Sequence, residues 1–226
     1  MPDVRRAADR FHTVGDGVET WHSFSYGVHY DPDRIGFGPI MAINAEHVAP
    51  GGGYDVHDHA DVEIVTWVLD GVLRHEDSTG QAGEIRPGTA QRLSAGTGVR
   101  HSERNASPDE PLVFVQMMLR TDYDEAPEYR QVDVDHVPGV LTPTVAVHAP
   151  AELLAVTFDA GQVVTVPAAP RSLVIVTSGE VDVAGTRLAA GDEIRFTGEG
   201  EYDLSASSAA SALIWQLGLA TAEVTR

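Results

Sequence analysis

Residues 53–71 read GYDVHDHADVEIVTWVLDG, and two strand signals meet in this stretch. The run Glu63–Leu69 is rich in β-branched and aromatic side chains and stops at Asp70-Gly71, a dipeptide typical of tight turns. It therefore predicts a buried β-strand. Similar apolar runs recur along the chain between clusters of Gly, Pro and Asp, whereas helical periodicity is hard to find. This organisation predicts an all-β barrel or sandwich.

The same stretch carries His57 and His59, and a later element carries His101 and Glu103. Alternate residues of a strand point to the same face, so each pair projects together. If the two strands are neighbours, three imidazoles and one carboxylate meet at one point. Nitrogen and oxygen donors of this kind suit Fe(II), Mn, Co, Ni, Cu or Zn, and the donor set alone leaves that choice open. The sequence therefore predicts a site for a divalent transition metal.

Composition narrows the classes of function. The chain has 226 residues and no cysteine, which excludes disulfides, thiolate metal sites and thiol catalysis. Its net charge is −19, which disfavours direct binding to nucleic acid. No apolar run is long enough to span a membrane, and none follows Met1–Arg6 as a secretory signal requires. We therefore expect a cytoplasmic protein without a membrane partner.

A polar stretch over residues 120–138 separates two series of strand-like runs. We place the domain boundary there, with one domain over residues 1–132 and a second over residues 133–226. The runs around Gly71 and Gly179 resemble each other weakly, which suggests a duplication. All ten histidines lie at or before His148, so the second domain is expected to be a degenerate copy without metal, and the chain to hold one metal.

The spacing of glycine, histidine and glutamate around the two histidine elements resembles the cupin pattern, and the match narrows to the pirins, which have two cupin domains. The resemblance is close over roughly residues 1–132 and holds only in outline beyond. It rests on these segments: His22–Gly27, Phe37–Pro39, Val48–Gly51, Glu63–Thr66, Arg74–Ser78, Ile85–Gly88, Ser94–Gly98, His101–Glu103, and Pro127, Tyr129 and Gln131. It implies two cupin-type β-barrels, each a double-stranded β-helix.

The resemblance also implies roles for single residues. In pirins the equivalents of His57, His59, His101 and Glu103 bind the metal, and Glu63 stands beside the site. Glu103 or Glu63 is then expected to act as the catalytic base. Pirins usually have Pro and Arg around the second histidine, where Asp58 and Ala60 stand here, and a tryptophan where Met118 stands. These departures affect the shape of the pocket and access to it.

The activity implied by the resemblance is a metal-dependent dioxygenase that cleaves a flavonol ring, such as that of quercetin, with O₂. Fe(II) is the first choice of metal. The partners expected are a small aromatic substrate and O₂, and the chain is expected to be a monomer. The alternative is an iron-dependent, redox-sensing regulator that acts through a protein partner. Measured turnover separates the two.

Overall fold

The computed structural model describes residues 2–198 and 200–219. Over these residues the chain is nearly all β-structure, with a single 3-10 turn at Ala7–Asp9 and no α-helix, which confirms the predicted fold class. The strands are β1 Asp3–Arg5, β2 Phe11–Val14, β3 Val18–His22, β4 Ile40–Val48, β5 Gly53–His59, β6 Val62–Asp70, β7 Leu73–Asp77, β8 Ala82–Ile85, β9 Thr89–Ser94, β10 Val99–Asn105, β11 Leu112–Arg120, β12 Glu128–Asp133, β13 Thr142–Pro143, β14 Ala151–Phe158, β15 Val163–Val166, β16 Arg171–Ser178, β17 Glu180–Val183, β18 Thr186–Ala189, β19 Glu193–Thr197, β20 Tyr202–Ser205 and β21 Ala210–Leu217.

The chain divides into two compact units. The first unit contains residues 10–134 and 147–149. The second contains residues 135–146, those from 150 onward, and the N-terminal segment before Arg10. The N-terminal segment belongs to the second unit although it precedes the first unit in the sequence, so no single boundary along the chain separates the two units. The predicted domain boundary at residue 132 stays a prediction.

The first unit is built from two antiparallel sheets. One has seven strands in the order β12-β9-β6-β11-β4-β3-β2, and the other has four in the order β5-β10-β7-β8. Apolar side chains from both sheets meet in shared clusters, one of which joins Leu73 and Ile85 of the small sheet to Val68 and Phe114 of the large one. The two sheets therefore pack face to face, as in a cupin barrel.

The predicted buried strand is β6, whose residues Val62–Val68 are all buried. It lies between β9 and β11 inside the seven-stranded sheet, and residues on both of its faces are buried. The turn at its end needs Gly71, which has a φ of 81°. A Cβ atom there would lie 2.6 Å from the carbonyl oxygen of Pro111.

The second unit repeats the strand order of the first with each strand number raised by ten, except at the edges of the larger sheet. There β1 takes the place that β12 has in the first unit, and β2 has no counterpart among the described residues. Its larger sheet runs β1-β19-β16-β21-β14-β13 and its smaller sheet runs β15-β20-β17-β18. Eighteen buried residues, all of them apolar except for the hydroxyl of Tyr202, form its core. The weak sequence echo is therefore a structural repeat. Within the described residues, no helix is long and apolar enough to cross a bilayer.

Candidate metal centre

Strands β5 and β10 are antiparallel neighbours, and His57 lies directly opposite His101 in their register. His59 lies on the same face of β5, two residues on. The ring centroids of His57 and His101 are 4.4 Å apart, those of His57 and His59 are 4.9 Å apart, and those of His59 and His101 are 5.1 Å apart. One nitrogen from each of the three rings lies within 4.8 Å of the other two. The structure thus brings three of the four predicted ligands together.

The environment of His101 fits a metal ligand. Its side chain is 1% exposed, and neither ring nitrogen has a hydrogen-bond partner among the described residues. A buried polar atom without a partner is costly, so a bound cation would supply the missing interaction. Burial and the neighbouring imidazoles of His57 and His59 lower the pKa of His101 to about 3. The imidazole is therefore neutral, which is the form that binds metals.

The ring of His57 is held by its own strand. Its Nδ1 lies 2.8 Å from the carbonyl oxygen of Asp55. Since a carbonyl only accepts, Nδ1 carries the proton and Nε2 keeps a lone pair for a ligand. Burial, with the neighbouring His57, lowers the pKa of His59. The lowered pKa values of His59 and His101 thus favour the neutral form of both rings.

Glu103 is buried and held by two amides. Gln116 Nε2 donates to its Oε2 at 2.7 Å, and Gln91 Nε2 donates to its Oε1 at 3.4 Å. The register of β10 with β5 shifts between His101 and Glu103 because β5 has one extra residue there, whereas both residues keep the regular pairing of β10 with β7 and so share a face. A carboxylate oxygen of Glu103 lies within 4.8 Å of ligand nitrogens of His101 and His75.

His75 belongs to this second group, although it lies on β7 close to the turn of the β7–β8 hairpin. It is fully buried, lies opposite Glu103 in the register of β7 with β10, and stacks on Tyr129 with centroids 4.8 Å apart. Its Nε2 lies 3.2 Å from Asp77 Oδ2, while its Nδ1 is buried without a partner. Asp77 also accepts the hairpin hydrogen bonds from Thr79 and Gln81. His75 therefore serves both the hairpin and the interior.

Glu63 lies among other residues. Its Oε2 accepts a hydrogen bond from the backbone N–H of His148 at 3.1 Å and is 3.9 Å from Arg92 Nε. Arg92 and the His148 ring both contact Glu128, at 2.7 Å and 2.9 Å. None of these contacts reaches the four predicted ligands. The prediction that Glu63 stands beside the site and acts there as a base is therefore without support in the geometry.

A cavity of about 400 Å³ opens beside the histidines, a volume typical of small-molecule sites. His57, His59 and Glu103 line it at one end. Glu46, a buried carboxylate that no sequence motif indicated, also faces the cavity. Met118, where pirins usually have a larger tryptophan, is another lining residue. The substitution therefore changes the wall of the cavity itself.

His59 also borders a shallow groove on the outer side, together with Asp58, Ala60 and Arg100. Asp58 is exposed and lies opposite Arg100 in the strand register, away from the cavity. Both departures from the usual pirin residues around His59 therefore lie in this groove.

Comparison with known protein families agrees with this fold. The Pirin family model matches residues 4–119, and a model described as the quercetinase C-terminal cupin domain matches residues 142–217. The chain belongs to the pirin family. The second match also assigns the histidine-poor half of this pirin to a cupin domain.

Individual relatives cover almost the whole pirin chain. A Mycobacterium bovis protein, provisionally named a quercetin 2,3-dioxygenase, is 39% identical over 95% of this chain and 94% of its own. The quercetin 2,3-dioxygenase of Escherichia coli K12 is 33% identical over 95% of this chain and 97% of its own. The crystal structure of the bacterial pirin YhhW of E. coli with nickel(II) superimposes with a TM-score of 0.90, at 28% identity, over 97% of this chain and all of that one. The pirin family and the histidine group together indicate a divalent metal site.

Proposed function

We propose that this chain is a metal-dependent dioxygenase that opens a flavonol ring with O₂. The observation that carries the proposal is the group His57, His59 and His101, with the buried nitrogens of His101 unpartnered, at one end of a cavity large enough for an aromatic substrate. The relatives named as quercetin 2,3-dioxygenases support the choice of substrate.

In this proposal His57, His59, His101 and Glu103 hold one divalent metal. Fe(II) is our first choice, and the nickel found in the related E. coli pirin makes nickel the next metal to test. When bound, such a metal supplies Lewis acidity toward a substrate hydroxyl and redox capacity toward O₂. Fewer than six protein ligands leave room for both reactants.

The residues of the chain supply position and proton transfer. Glu103 accepts the proton of the flavonol 3-hydroxyl, and the amides of Gln91 and Gln116 hold its two oxygens in place for that transfer. We retain Glu103 as the base and not Glu63, because the contacts of Glu63 are with Arg92 and His148. The overall reaction consumes one flavonol and one O₂ and yields one depside and one carbon monoxide.

The test is metal analysis combined with O₂ uptake and carbon monoxide release on a panel of flavonols. We expect one O₂ consumed for each carbon monoxide released with the wild type, and no turnover with His101→Ala. Asp58→Pro is the matched control, because Asp58 lies on β5 between His57 and His59 but faces away from the cavity. Metal-loaded protein without turnover on any flavonol would contradict the proposal.

A regulatory role is the second candidate, and one observation favours it. Next to the cavity, the segment after Tyr26 exposes large apolar side chains, with Val28 91% and Tyr30 76% exposed. Such residues at the mouth of a metal site suit contact with a protein partner that responds to an iron-dependent redox state. Loaded protein that fails the turnover test but binds a partner only in one redox state would establish this alternative.

A further inference from the structure

The cavity beside the histidines has an unusual balance of charge. Two carboxylates, Glu46 and Glu103, line it, whereas no arginine is found among its described lining residues and the whole chain contains no lysine. A divalent metal beside Glu103 would more than offset the charge of that residue and leave one excess positive charge at that end of the cavity. Glu46 would then be left as a negative charge that no basic side chain on the cavity wall balances.

Glu46 is fixed in place by its neighbours. It lies on β4 and is 1% exposed. Its Oε2 accepts hydrogen bonds from Thr20 Oγ1 at 2.5 Å and from the hydroxyl of Tyr54 at 2.8 Å. A side-chain hydrogen bond from Asn44 completes its contacts. A carboxylate held by this many donors keeps its orientation toward the cavity when a ligand enters.

The titratable groups around Glu46 do not neutralise it by proton transfer. Burial, together with the charge of Glu103, raises the pKa of Glu46 to about 7 against the hydrogen bonds from Thr20 and Tyr54. Burial and Glu46 raise the pKa values of Tyr54 and Tyr26, so both phenols stay protonated. Burial lowers the pKa of His22, which therefore stays neutral. Glu46 is consequently an anion in mildly alkaline solution.

We propose that Glu46 makes this cavity selective for uncharged, hydroxylated aromatic ligands and against ligands of the same shape that carry a carboxylate, sulfonate or phosphate. The inference rests on the proposed function in so far as the cavity is the substrate site. An anionic ligand must enter a region of reduced dielectric constant next to a fixed negative charge, where repulsion is weakly screened. A neutral aromatic ligand with hydroxyl groups can donate hydrogen bonds to the carboxylate and amide oxygens of the wall and lie against its apolar side chains, such as Val18 and Met118.

The experiment compares two ligands of nearly equal size on the metal-loaded protein without O₂. One is a flavonol with a sulfonate on its outer ring, and the other is the same flavonol with an uncharged sulfonamide there. Dissociation constants are measured by fluorescence titration at about pH 8.5, where a group with a pKa of about 7 is ionised. The wild type should bind the sulfonamide at least about tenfold more tightly than the sulfonate.

Two variants define what Glu46 contributes. Glu46→Gln keeps the shape and the hydrogen bonding of the side chain and removes its charge, so the preference should fall at least about fivefold. Glu19→Gln removes the same charge from an exposed residue of β3 that does not line the cavity, and it should leave the preference unchanged. An equal preference in the wild type and Glu46→Gln would overturn the inference, as would a preference that falls equally in Glu19→Gln.

The outcomes also separate this inference from the proposed function. The predicted binding preference without flavonol turnover would sustain the role of Glu46 and contradict the dioxygenase. Flavonol turnover, together with a preference for the sulfonamide that is unchanged in Glu46→Gln, would support the dioxygenase and overturn the role of Glu46. Failure of the wild type to bind either ligand would overturn both.

Discussion

The two units of this chain have the same strand order and different interiors. In the first unit, β5 and β10 carry His57, His59, His101 and Glu103 toward a cavity. Their counterparts in the second unit, β15 and β20, carry Val164, Val166, Tyr202 and Leu204 into a packed apolar core. The same strand order thus accommodates either a group of metal-binding side chains beside a cavity or a packed apolar core. The capacity for metal chemistry depends on a few donor side chains at corresponding strands.

The largest expected effect comes from removing a donor of the first unit. His101→Ala should weaken metal binding by more than about a hundredfold, because even residues that only support a ligand contribute roughly ten- to a hundredfold. Competition with a chelator measures the affinity. His47→Ala removes an exposed histidine of β4 as the control and should change nothing. Equal loss in the two variants would show that histidine content, and not this site, binds the metal.

The second prediction concerns packing in the second unit. Leu204→Ala truncates a fully buried side chain in a filled core and should lower the free energy of unfolding by about 2–5 kcal/mol. Val18→Ala, which enlarges the cavity of the first unit, should cost about 1 kcal/mol or less, because this wall is already partly open. Urea unfolding of the metal-free protein measures both. Similar costs at the two positions would contradict the difference between the interiors.

The third prediction tests the buried charge of the first unit through its pH dependence. The pKa of Glu46 is raised from 4.5 to about 7, so the folded state binds more protons than the unfolded state between these values. Its contribution to stability is therefore present at low pH and is lost as the pH rises toward 7. Glu46→Gln removes this loss. From about pH 5.5 to about pH 8, the metal-free variant should gain about 2 kcal/mol relative to the wild type.

That gain is measured as the change, between the two pH values, in the difference of unfolding free energies. Glu19→Gln is again the control and should show no such change, because Glu19 is exposed. A pH dependence that is the same in Glu46→Gln and in the wild type would mean that Glu46 is ionised without cost.

The smallest expected effect is that of Glu63→Gln. The amide still accepts a hydrogen bond from the His148 N–H, while the attraction to Arg92 is lost, so the unfolding free energy should fall by about 1 kcal/mol. Metal affinity should stay within about threefold of the wild type, because the contacts of Glu63 do not reach the histidines. Loss of the metal in this variant would show that Glu63 contributes to the metal site.

The elements that sequence pattern predicted well are those with strong local signals. The β-branched run predicted β6. The alternation in His57-Asp58-His59 predicted that the two histidines share one face of β5. In the second unit, strands β14 to β17 likewise coincide with short apolar runs of the sequence, for example Val163–Val166. In each case side-chain alternation or branching is a property of the strand itself.

The features that were missed depend on long-range register. His75 faces Glu103 because β7 pairs with β10 at that position, and nothing within β7 fixes the pairing. Glu63 lies on the face of β6 opposite to Ile64, which packs with Met118 of the cavity wall, and Glu63 contacts Arg92 instead. Alternation shows which residues of β6 share a face, but only the packing of the whole sheet shows which of the two faces turns toward the histidines. Glu46 borders the cavity because of the way β4 packs against its neighbouring strands, and the sequence of β4 alone does not indicate this position.

The central claim is that one metal is bound in the first unit and none in the second. An anomalous difference map, recorded at the absorption edge of the metal on crystals of the loaded full chain, tests it most directly. We predict a single peak per chain, within about 2.0–2.2 Å of one nitrogen each of His57, His59 and His101 and of one oxygen of Glu103. A peak bound by His75 in place of His57 and His59, or a second peak in the second unit, would contradict it.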